Sequence, residues 1–149
     1  MPATIVQGEP GAREASELGL TSKSVGKLQV PVPAAAQTER HKHVYSADAS
    51  LRTDGDERVG RCCVTIHEGF VLGILPADQS AAPLWFKVPV SDLSVATEGQ
   101  KGAFKKRPAL IVVDTEGFSL RLSDVDQLFL ARGNYQAGRE ADLLAVLQG

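Results

Sequence analysis

Four cations and one aromatic fall together in the stretch GQKGAFKKRP: Lys101, Phe104, Lys105, Lys106 and Arg107, with no acid among them. A cluster of this kind can hold an anionic surface, with Phe104 as an apolar wedge, or it can keep a loop solvated. The chain around it carries a formal net charge of -2, so any attraction for anions is local. Each cation near an anionic membrane contributes about 1 kcal/mol. Four give about 4 kcal/mol, equivalent to roughly a millimolar dissociation constant. The tip alone would not hold the protein on a membrane and would need a second attachment.

Other groups with chemical potential are sparse. His41 and His43 in RHKHVY would share one face of a strand and could approach one metal ion, with Cys62, Cys63 and His67 as further ligands. No CxxC pair or HExxH accompanies them, and a structural zinc site needs four converging ligands. The sequence therefore predicts no metal and no cofactor. A small metal-binding or thiol protein built on His41, His43, Cys62 and Cys63 stands as an alternative reading. Cys63 would be reactive if a cation lowered its pKa, and Arg61 lies on the same face at i−2. There is no G-x-S-x-G elbow. GQKGAFKK lacks the spacing and the terminal Ser or Thr of a P-loop. The acids of SDVDQ read as helix capping. These features predict a non-enzymatic protein.

Nucleic acid is disfavoured because sheets that bind single strands expose aromatics beside cations. Only 5% of the chain is aromatic, and most aromatics fall at inward positions. Trp85 beside Lys87 is the exception, and it is expected to pack beneath the C-terminal helix.

The elements that must position these groups are mostly strands. At 149 residues and 43% hydrophobic, the chain has the length of one domain and enough apolar residues for a core. Residues 1–24 mix Gly, Pro, Glu, Ser and Ala with little periodicity and read as a flexible N-terminal arm, or as a small helix around Ala12–Leu18, ahead of a domain at 25–149. In GKLQVPVP, Leu28, Val30 and Val32 share a face, while Pro31 and Pro33 restrict the strand to an edge. Cys62, Val64 and Ile66 alternate with Arg61, Cys63 and Thr65. Leu84, Phe86, Val88 and Val90 share a face in LWFKVPV. ALIVVD suits a strand covered on both sides, and Phe118, Leu120 and Leu122 point inward in FSLRL. Short strands at close spacing with glycine-containing turns predict a mainly antiparallel β protein.

After Leu122 the spacing changes. Ser123 reads as an N-cap, with Asp124 and Asp126 in the first turn of a short helix ending near Gly133. A second helix is expected from Asn134 or Tyr135, with Ala137, Ala141, Leu144 and Leu147 as its apolar stripe and Gly138 as a weak point. The fold class is α+β, an antiparallel sheet followed by an amphipathic C-terminal helix.

Three stretches, FKVPVSDLSVATEG, ALIVVDTEGFSLRL and YQAGREADLLAVLQ, resemble the pleckstrin-homology-like (PH-like) superfold, particularly the small PH-like domains of bacteria. The resemblance covers about residues 60–148. It implies a seven-stranded bent sandwich or partly open barrel, used elsewhere for lipid headgroups, peptides or assembly. Phosphoinositide-binding members carry their basic cluster in the first hairpin, whereas here it lies late, at 101–107. The expectation is a module that presents a surface to a protein partner, with an anionic lipid headgroup as the alternative ligand. The edge strand and the arm offer routes to assembly, homo-oligomers included. The cysteines, too close for an unstrained bridge, and an N-terminus without a basic region followed by an apolar one point to a cytoplasmic setting, with peripheral membrane contact through the tip.

Overall fold

The computed structural model describes residues 4–7, 20–25, 28–33, 43–53, 56–76, 83–92, 94–98, 110–115, 118–129 and 134–148. The strands are β1 (Thr4–Gln7), β2 (Leu20–Val25), β3 (Leu28–Pro33), β4 (Val44–Thr53), β5 (Asp56–His67), β6 (Phe70–Leu75), β7 (Leu84–Pro89), β8 (Ser94–Glu98), β9 (Leu110–Thr115), β10 (Phe118–Phe129) and β11 (Asn134–Gln136), followed by helix α1 (Glu140–Gln148). The fold is α+β: among the described residues, a large antiparallel sheet with one short C-terminal helix. Two stretches of the expected arm are strands. β1 pairs with β7, and β2 pairs with β3.

The nine-stranded sheet has the order β1-β7-β6-β5-β4-β10-β9-β8, with β11 on the end of β10. It consists of two meanders, β4 to β7 and β8 to β10, joined where β4 lies beside β10. In a flat sheet the six steps from β7 to β8 would span about 29 Å. The chain crosses from Pro89 to Ser94 in about five residues, a reach of roughly 18 Å. The sheet must therefore curl until β7 and β8 approach at this corner. A 3-10 turn, Val90–Asp92, makes the corner, and the Val90 N–H donates to the Gly69 carbonyl at 2.8 Å. Glu68 and Gly69, both at positive φ, form the tight β5–β6 turn that sets that carbonyl in place.

Small residues line the concave face where β4 meets β5: Ala49 opposite Gly60, and Ala47 opposite Cys62. Gly73 faces Phe86 across β6 and β7, and the Phe86 ring occupies the space a side chain at 73 would need. A Cβ there would lie 1.9 Å from the ring. Tyr45, Leu51, Val64, Phe86, Leu120 and Leu122 fill the concave side, and Leu143 and Leu147 of α1 close it. The inward positions expected at Cys62, Val64, Leu84, Phe86, Val88, Leu120 and Leu122 are all buried.

Several expectations fail for identifiable reasons. The segment after Leu122 is strand, not a short helix. Asp124 has φ +51, and the β10–β4 register shifts between Ser123 and Asp126. This bulge inserts one residue, so Leu120, Leu122 and Val125 all face inward. The resulting three-residue step from 122 to 125 imitates helical spacing. Asn134–Gln136, expected to begin the second helix, is an exposed strand on β10. Gly138, at φ +72, lies in the turn before α1 and does not weaken it. The helix buries Leu143 and Leu147; Leu144 is half-buried at the margin, and Ala137 and Ala141 are exposed. Trp85 is not beneath the helix. It packs with Leu72 and Phe70 on the convex face, where the Lys87 ammonium lies 4.3 Å from the centre of the Phe70 ring.

The β2–β3 hairpin lies over that convex face. Val30 and Val32 bury Val44, Cys63 and Leu128.

Three substitutions test this packing by urea denaturation. Gly73→Ala should cost about 2 kcal/mol or more through overpacking against Phe86. Leu143→Ala should cost about 2–5 kcal/mol, and Leu144→Ala clearly less. Equal losses at 143 and 144 would mean that the helix is rotated.

Candidate functional site

The tip residues Lys101, Phe104, Lys105, Lys106 and Arg107 lie outside the described residues. Their attachment is described: Glu98 pairs with Leu110, so residues 99–109 connect β8 to β9. Among the described residues β8 pairs with β9 alone and forms one end of the large sheet.

The most concentrated polar site lies elsewhere, on the convex face, and is built from alternation. In-register rows cross the sheet there. Ser123, Asp48 and Arg61 share one row, and Asp126, Ser46 and Cys63 share the next. The Arg61 guanidinium sits at their junction. Its Nε donates to Ser46 Oγ at 2.8 Å, and its Nη2 donates to Asp126 Oδ2 at 2.9 Å and to the Ser46 carbonyl at 3.2 Å. Its Nη1 reaches Asp48 at 3.2 Å and Asp124 at 3.5 Å. The acids expected to cap a helix are thus ion-pair partners of one arginine. Asp48 and Asp124 are mostly exposed, while Asp126 is only 23% exposed. Burial, opposed by Arg61 but reinforced by Asp124, Glu140 and Asp48, holds the Asp126 carboxyl above the usual carboxylate range.

A second set of polar contacts, on the concave side, fastens α1 to the same bulge. The Val125 N–H donates to the Glu140 carboxylate at 2.9 Å, and the Arg139 N–H donates to the Val125 carbonyl at 2.9 Å. Arg139 Nε donates to Gln127 Oε1 at 3.0 Å, and Arg139 also pairs with Asp142 at 3.0 Å. The buried Tyr45 hydroxyl donates to Asp142. Burial first, and then Asp142, push the Tyr45 phenol above its ordinary range.

The remaining candidates do not converge. Cys62 and Cys63 are both buried but face opposite layers, Cys62 the concave core and Cys63 the hairpin. Burial raises the Cys62 thiol well above its ordinary range. It pushes Cys63 up to about 11, against the opposing pull of Ser46 and Arg61. His43 is exposed, and its carbonyl accepts from the Ile66 N–H. His67 lies 3.7 Å from Glu68 at the turn. His41 is outside the described residues. Among the described residues no group of three or more His, Cys, Asp and Glu could hold a metal ion, and no helix is long and apolar enough to cross a membrane.

In the sequence Arg61 reads only as a thiol neighbour, Asp124 and Asp126 only as helix caps, and Asp48 carries no signal of its own. Polar residues at i and i+2 (Ser46 with Asp48) opposite Arg61 in a neighbouring strand were the available signal. Reading it required the β4–β5 register and the bulge.

Compared with known proteins, the chain matches no family model, and no curated protein or solved structure at a significant level.

The raised Asp126 carboxyl gives a pH test. The folded state binds this proton more tightly than the unfolded chain does. The associated stability is full below the unfolded carboxyl range and is lost as pH rises through the higher folded value. Wild type should therefore gain on Asp126→Asn as pH falls from 7 to about 4, measured by urea melts. A difference that moves the other way would show that Arg61 outweighs burial at this carboxyl, and a constant one that the two cancel.

Proposed function

We propose that this chain is a PH-like interaction module, without catalytic activity of its own, that binds an extended acidic segment of a protein partner. The PH-like reading draws support from the seven strands β4–β10, arranged as meanders of four and three with β10 beside β4, and from α1 packed on the concave side. The observation that carries the partner reading is the position of β8. Among the described residues it is the end strand of the large sheet, and the chain passes from it directly into the stretch that holds Lys101, Lys105, Lys106 and Arg107.

An end strand offers main-chain donors and acceptors to an incoming strand. Acidic side chains on that strand would meet the four cations. The magnitudes favour this source over a membrane. About 4 kcal/mol from the cations alone is roughly millimolar, and a backbone ladder of several hydrogen bonds adds a further attachment, where a lipid surface adds only insertion of Phe104. β3 is a poorer route for strand addition. Pro31 and Pro33 leave its edge without two N–H donors, and the Pro31 carbonyl already accepts from the Thr65 hydroxyl at 2.6 Å.

The test compares wild type with a variant carrying Lys101→Gln, Lys105→Gln, Lys106→Gln and Arg107→Gln. The probes are a labelled peptide alternating Val and Glu, read by fluorescence anisotropy, and phosphatidylserine vesicles, read by flotation. The variant should keep the thermal midpoint and lose at least tenfold in peptide affinity at low salt, with a smaller loss at physiological salt. Vesicle capture without peptide binding would replace the partner by a lipid surface. Unchanged binding in the variant would remove the tip from the function.

A further inference from the structure

We propose that the β2–β3 hairpin is a displaceable cover, which opens as a unit while the large sheet and α1 stay folded and so uncovers an apolar strip of the convex face.

β2 and β3 form their own two-stranded sheet, and among the described residues no ladder joins it to the large sheet. Removing it breaks no strand pairing in the main body. The contacts that hold it include side-chain burial, Leu28, Val30 and Val32 with Val44, Cys63 and Leu128, and the hydrogen bond from Thr65 Oγ1 to the Pro31 carbonyl. The prolines fit this arrangement. Pro31 and Pro33 have no N–H to donate toward the large sheet, so the hairpin is suited to lie on it rather than join it. An isolated two-stranded hairpin is marginal in water. It therefore depends on the sheet, whereas β4, β5 and β10 keep their ladders on both sides without it.

The face beneath is ordered in rows. Val44 and Leu128 are followed by Ser46, Cys63 and Asp126, and then by Asp48 and Arg61. Opening would expose an apolar strip bordered by the Arg61 ion-pair cluster, a surface that is buried when the cover is closed. The inference does not depend on the PH-like reading or on β8.

The two adjacent cysteines make the opening measurable, because Cys63 lies under the hairpin and Cys62 lies in the concave core. Wild-type protein in native buffer is treated with iodoacetamide to low conversion. Tandem mass spectrometry then assigns the label to Cys62 or Cys63, and each rate is divided by the rate of the same thiol in concentrated urea. Cys63 should react at least tenfold faster than Cys62 on this scale and depend less steeply on urea. Thr65→Val should raise the Cys63 rate several-fold and leave Cys62 unchanged. Amide exchange gives an independent readout: the β2–β3 amides should exchange at least tenfold faster than those between β4 and β5. Equal normalised rates with equal urea dependence, or β2–β3 amides as protected as the β4–β5 ladder, would overturn the proposal.

Discussion

Asp124 adopts a left-handed backbone conformation, and β10 changes its inward parity there. Before the bulge the inward residues are Leu120 and Leu122; after it they are Val125 and Gln127. Both polar constructions of the molecule depend on this one inserted residue. On the convex side it brings Asp124 and Asp126 together onto Arg61. On the concave side it frees the Val125 N–H and carbonyl for Glu140 and Arg139, which dock α1. Without the bulge, continued alternation would turn Val125 outward and remove the helix's main-chain anchors.

The two faces of the sheet are stabilised differently. The concave side combines apolar packing with a fixed set of hydrogen bonds that begins at buried Tyr45 and ends at Arg139. A buried phenol whose hydroxyl reaches a carboxylate is satisfied, so it adds direction to the packing rather than an unpaired polar group. The convex side grades from apolar contact under the hairpin to an ion-pair cluster open to water. Partly exposed ion pairs contribute little each. Arg61 matters chiefly because its one positive charge lies between three acids and offsets part of their mutual repulsion across β4 and β10.

Much of the sheet was legible in the sequence. Alternation assigned Cys62 and Val64 to one layer and Cys63 to the other, and it identified Leu84, Phe86 and Val88 as core. Those strands are regular, and a period of two survives wherever no residue is inserted. The bulge defeated the same reasoning: Leu122 and Val125 are three apart, which is the spacing of a helix. The start of α1 was misplaced because Asn134–Gln136 and the Gly138 turn are polar or small and carry no period. Trp85 was misassigned because alternation gives the face of a strand, not what covers it. The Arg61 cluster joins residues from three strands, and no local pattern records a register across 65 positions.

The adjacency of β4 and β10 also bears on how the chain is made. Within residues 44–89, β4, β5, β6 and β7 pair in succession as a four-stranded meander. One long edge of it, β4, must then remain without its partner until residues 118–129 have been synthesised. At 5–20 residues per second this interval lasts several seconds. During that time a strand bearing Tyr45, Ala47 and Leu51 presents an open edge and half of an unfinished core. The exposed charges of Asp48 and Arg52, which lie along that strand, act as gatekeepers against pairing with another nascent chain.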